Sequence, residues 1–242
     1  MRNKIAQLKR YYKAFQPTTE ELPAILNGSA TNLSDIQDGS IDYVFTDPPF
    51  GSNLFYADCN LIWESWLGRI TDPTNEAVVN KSLSEAAGGK SLRGYGDLMT
   101  GAMLEIARVL KPGGWATIVF HNTDSGVWSA LQNAAREAGF EFHEAASLDR
   151  QQQSHKGYKG RSGQEDVAHF DVVMNLRKPE KSKTAPKKKA IKDLNLAAVV
   201  AELAANPVFA ARGAQGIHAE VMRRLASTGA STFVDFSDIR EM

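Results

Sequence analysis

The chain has a single cysteine, Cys59, in 242 residues, so it can close no internal disulfide. That cysteine is read as small packing beside Leu61, Ile62 and Trp63. There is no apolar run near 18 residues and no signal-like start, so no segment is expected to span or cross a membrane. Its five histidines are scattered without ligand spacing, which implies no metal site. Net charge is zero, which would not help to hold a polyanion if the charge were evenly spread. These features suit a soluble, cytoplasmic protein with one domain of ordinary size plus an appendage.

The charge is uneven. Residues 150–161 form a polar, basic stretch with one aromatic, Tyr158. Such a loop can reach phosphates and stack a base, or simply be a solvated hairpin. Residues 178–192 carry seven lysines with Pro179 and Pro186, the composition of a linker. Beyond it, 193–242 reads as a small helical appendage with breaks at Asn206-Pro207 and at 213–216. At the other end, residues 1–22 read as a basic amphipathic helical arm.

Between these ends the pattern alternates. A short strand is expected at 24–27 and an apolar strand at 41–46. Met99, Met103, Ile106 and Leu110 share one helical face, and Lys111-Pro112-Gly113-Gly114 stops that helix. Trp115 to Phe120 reads as a strand, Val127 to Ala138 as a helix closed by Gly139, and Phe140 to Ala145 and His169 to Leu176 as strands. This order predicts an α/β sheet with covering helices. Two glycine clusters fail as phosphate loops. Gly88-Gly89-Lys90-Ser91 has Ser84 where the pattern requires glycine, and Gly94-Tyr95-Gly96 follows no strand. Both are read as a mobile loop.

The strand at 41–46 runs directly into Asp47-Pro48-Pro49-Phe50. At average usage, Asp-Pro-Pro-aromatic arises by chance in roughly one chain of this length in several hundred. Each proline fixes its own φ and pushes the preceding residue toward extended geometry, which makes a stiff exit from the strand. The Asp47 carboxylate and the Pro48 carbonyl are acceptors, and an exocyclic amino group on a nucleobase offers two donors. Accepting both hydrogens would draw the nitrogen lone pair out of conjugation, and Phe50 could stack on the ring. The base must then be flipped or single-stranded. The same tetrapeptide also suits a strand-end turn.

From about Leu26 to Pro179 the chain resembles the amino-group DNA methyltransferases of the S-adenosylmethionine-dependent superfamily. Asp47-Pro48-Pro49-Phe50 is similar to the catalytic DPPF motif of that family, and 108–115 (RVLKPGGW) to the helix-turn-strand that follows it. The segment 51–68 resembles adenine-specific methylases of bacterial genomes and phage-defence loci. The resemblance implies a partial Rossmann-like methyltransferase sheet over 23–178, methyl transfer to a base amine, and DNA as partner. It places catalysis on Asp47, Pro48, Pro49 and Phe50, and S-adenosylmethionine near Ser29 and Asp47. Aspartate in the motif leans toward adenine N6 over cytosine N4.

One departure stands out. The Phe-x-Gly-x-Gly cofactor loop of the family is absent from the chain. Two functions follow: one part of a larger or split methylase, with a second chain supplying the cofactor-binding half, or a catalytically incomplete nucleic-acid-binding subunit. An upstream reading frame encoding that half would decide between them.

Overall fold

A computed structural model describes Arg10 and residues 24–52, 54–122, 124–149, 170–180, 195–210, 213–228 and Ile239. Most of the N-terminal arm, the basic stretch at 150–161 and most of the Lys-rich linker lie outside the described residues.

Four strands form one mixed sheet: β1 (Ile41–Thr46), β2 (Leu110–Phe120), β3 (Glu141–Asp149) and β4 (Phe170–Arg177), in the order β1-β2-β4-β3. β1 and β2 are parallel, which demands a long crossover. Helices α1 (Tyr56–Leu67) and α2 (Leu92–Val109) fill that connection. Helix α3 (Ser125–Glu137) links β2 to β3, and β4 then enters antiparallel between those two strands. The fold is α/β.

Local chemistry sets the helix ends. The Ser91 hydroxyl accepts from the N–H of Gly94 to start α2, and Asp124 accepts from Gly126 and Val127 to start α3. Gly139, at φ +82°, closes α3 in the left-handed region, where glycine carries no Cβ penalty. Met99, Met103 and Ile106 are buried along α2, as the helical period requires. Leu110, expected on the same helix, instead opens β2 and is fully buried there.

The 111–114 turn is absorbed into the sheet. Ile41 pairs with Leu110 and Tyr43 with Trp115, so Lys111 to Gly114 bulge out of the β1–β2 ladder. Gly113 takes φ +78° to allow it. Two further expectations are corrected. Residues 24–27 form no strand and lie exposed, because among the described residues no neighbour pairs with their backbone. The 80–91 segment is a closed turn, not a mobile loop. Asn80 and Lys90 exchange both backbone bonds at 2.9 and 2.7 Å, and the Gly89 N–H donates to the Ser84 carbonyl at 2.8 Å. Gly94 and Gly96 lie inside α2.

Helices α4 (Leu196–Ala205), α5 (Pro207–Ala210) and α6 (Gly213–Thr228) lie beyond the linker. Val200, Leu203, Ile217, Val221, Met222 and Leu225 join the same buried cluster as Phe120, Trp128, Met174 and Leu176. The Arg223 guanidinium donates to the Ala145 carbonyl on β3 at 3.3 Å.

Candidate active site

Parallel pairing brings the C-terminal ends of β1 and β2 to one edge of the sheet, where Asp47-Pro48-Pro49-Phe50 and His121-Asn122 emerge side by side. Open α/β sheets bind ligands at this edge. Asp47 is exposed, Pro48 buried, and Pro49 and Phe50 half-buried. The sequence therefore supplies one solvent-facing carboxylate on a stiff, inward-held loop.

Two distant side chains clamp that loop. Tyr95, fully buried in the first turn of α2, donates its hydroxyl to the Pro49 carbonyl at 2.8 Å. Asn122, also buried, donates Nδ2 to the Phe50 carbonyl at 2.8 Å. Asn122 is itself held: its carbonyl accepts from the Trp128 indole at 2.9 Å, and its Oδ1 accepts from the Asp124 N–H at 2.6 Å. Gly51 follows at φ +67°, and a Cβ there would come within 2.9 Å of Val127 and 3.3 Å of Asn122 Nδ2. Only glycine permits so close an approach of the loop to α3.

Electrostatics link Asp47 to a third aromatic. Burial first, and then the Asp47 carboxylate, push the Tyr56 hydroxyl above the ordinary phenol range. Burial likewise pushes the Tyr95 hydroxyl up, with Tyr56 adding to it. Both phenols stay protonated donors at neutral pH. Tyr56 itself starts α1, whose first turn is held by Glu76 accepting from the backbone N–H groups of Tyr56 and Ala57.

Phe50 meets Phe120 edge to face at 5.3 Å and His121 at 6.1 Å. Its half-buried ring packs against the core cluster. Ser29 lies apart from this cluster in sequence and sits in an exposed turn, where its hydroxyl accepts from the Thr31 N–H at 3.2 Å. A Cβ on neighbouring Gly28 would meet nothing within 4 Å among the described residues, which form no enclosed cradle there.

Tyr56, Tyr95, Asn122 and His121 were not legible as site residues. Only the end of the apolar run at Phe120 marked His121-Asn122 as emerging from a strand. A separate groove between α2 and α3, lined by Arg93, Asp97, Asn133 and Glu137, contains none of the residues assigned from sequence.

Among the described residues, the face next to the loop is bare. β1 is an edge strand among the described residues, with Tyr43 53% and Phe45 62% exposed. α1 buries none of its residues and presents Trp63 at 73% and Trp66 at 88% exposure.

No family model matches the chain, and no curated protein matches it. Solved structures do align. The S-adenosyl-L-methionine complex of TTHA0409, a proposed DNA modification methylase from Thermus thermophilus, aligns at 17% identity and TM-score 0.37, covering 66% of this chain and 57% of that one. A SAM-dependent methyltransferase from Methanosarcina mazei aligns at 13% identity and TM-score 0.33, covering 64% and 66%. The [4+2]-cyclase SpnF aligns at 13% identity and TM-score 0.34, covering 64% and 55%. The chain thus spans little more than half the length of TTHA0409. At these TM-scores the likeness carries no weight for function, and the chain's own residues must.

Proposed function

We propose that this chain is the catalytic part of a larger or split S-adenosylmethionine-dependent DNA methyltransferase, acting on an exocyclic base amine, adenine N6 first. One observation carries the reading: a DPPF loop at the ligand edge of a parallel strand pair, its Pro49 and Phe50 carbonyls pinned by Tyr95 and Asn122. With those two carbonyls engaged, the Asp47 carboxylate and the Pro48 carbonyl are assigned to the amine's two hydrogens. Phe50 stacks on the flipped base. Rigid placement of both acceptors supplies most of the acceleration.

The cofactor fits in part. Asp47 and Ser29 are assigned to it, and the loop suits its reacting end, where it supplies an electrophilic methyl group. The exposed turn at Gly28-Ser29 forms no cradle for the nucleoside end. The β1 edge, unpaired among the described residues, and the unburied α1 favour a second polypeptide that completes this half. Residues 1–242 alone are therefore expected to bind S-adenosylmethionine weakly or not at all. Isothermal titration showing micromolar binding by the isolated chain would overturn that expectation.

Phe50 tests the base platform. Half-buried, it should cost about 1.5–2.5 kcal/mol on replacement by Ala, half the usual cost of a fully buried Phe. Phe50→Tyr and Phe50→Trp should keep most of the methylation activity, because any π face can stack, while Phe50→Ala loses it. Thermal melts and DNA methylation on the same three variants check this. Activity that falls only in proportion to the folded fraction would return Phe50 to a packing role.

A further inference from the structure

His121 directly follows the last buried apolar residue of β2, and Asp171 is the second residue of β4. The antiparallel register places Phe120 opposite Val172, so one step further sets His121 opposite Asp171. Opposed residues on neighbouring strands share a face. The side chains meet there, with Nδ1 of His121 3.5 Å from Oδ1 of Asp171. Asp171 is almost completely buried, while His121 keeps a small part of its ring open. A carboxylate so deep in a fold is costly unless it is paired. The imidazole of this pair meets the ring of Phe50 in the DPPF loop, centroid to centroid at 6.1 Å.

Methylation of an amine leaves a proton to be removed. Asp47 is assigned as an orienting acceptor, which leaves that proton to be carried by another group. Imidazole is the side chain whose proton affinity matches neutral pH, and a carboxylate on one ring nitrogen fixes the other as the acceptor. Resting on the methylation reading above, we propose that His121, oriented by Asp171, takes the proton that the base amine sheds. The amine nitrogen bonds to the methyl carbon as the carbon–sulfur bond breaks, and that electron pair leaves on sulfur. One N–H proton then passes from the cationic nitrogen to Nε2 of His121, and its electron pair returns to nitrogen. Asp171 balances the imidazolium until water takes the proton.

Two readouts test this. The first is the chain alone at neutral pH, where two-bond proton–nitrogen NMR of the imidazoles, assigned with His121→Gln, reads the tautomer. Protonated Nδ1 and bare Nε2 are expected; an Nε2–H tautomer overturns the proposal. The second is single-turnover methylation in the active assembly. His121→Gln should slow it about 10²-fold. His121→Gly should be equally slow and recover at least about tenfold with added imidazole, which a packing role would not allow. If Asp47→Ala is dead and His121→Gln matches wild type, the proton role fails and the reading of the loop stands. If Asp47→Ala methylates at the wild-type rate, the loop reading falls and the role of His121 falls with it.

Discussion

Asp47→Ala should slow DNA methylation by about two orders of magnitude or more, the scale of a lost positioning or electrostatic contact. In the function proposed above two acceptors orient the amine, and the substitution removes the charged one. The cofactor's other contacts remain, so its affinity should change far less. Asp47 is exposed, so folding stability should fall by less than about 1 kcal/mol. That separation makes the result readable: a variant that folds, binds and fails to transfer. Single-turnover methylation of DNA by the active assembly, with cofactor affinity measured alongside, is the check. Near wild-type turnover would mean that the loop is only a strand-end turn.

Trp128→Ala should be the most destabilising single change near the site. Trp128 is almost wholly buried, packs edge-on against Phe120 at 4.9 Å, and donates its indole N–H to the Asn122 carbonyl. Truncating a buried Trp costs about 3–5 kcal/mol through lost contacts and the cavity left behind. Leaving the Asn122 carbonyl without that donor adds about 1–3 kcal/mol. Set against a typical total of about 5–15 kcal/mol, much of the folded population is at risk. Trp128→Phe keeps an aromatic edge but loses the donor. It should stay folded while loosening Asn122, and through Asn122 the Phe50 carbonyl. Urea unfolding of both variants measures this, and a loss under about 1 kcal/mol for Trp128→Ala would show that Asn122 is held by other means.

Some of this was legible from local chemistry. The 3.6-residue spacing of Met99, Met103 and Ile106 marked the buried face of α2, because helical geometry alone puts them together. The prolines of the loop marked a stiff strand exit for the same kind of reason. Local rules misled elsewhere. Lys111 to Gly114 carries every sign of a helix stop, yet it sits as a bulge inside β2, because parallel pairing with β1 resumes at Trp115. Residues 24–27 have strand-like composition, but a strand exists only where another strand accepts its hydrogen bonds. The 80–91 turn was hidden because its closure depends on backbone contacts and on a glycine whose Cβ would collide with the Leu83 carbonyl at 2.0 Å.

By itself the sequence determined the α/β class and the stiff proline exit from β1, since both rest on residues within a turn or a strand of one another. Only the tertiary structure decided what holds that loop. Tyr95 reaches Pro49 across 46 residues and Asn122 reaches Phe50 across 72, through crossings set by how α2 and β2 pack. The pairing of His121 with Asp171 depends on strand register, and a one-residue slip would send one partner to the opposite face. The edge position of β1 among the described strands is likewise a property of the sheet, because a strand's residues do not reveal how many neighbours it has.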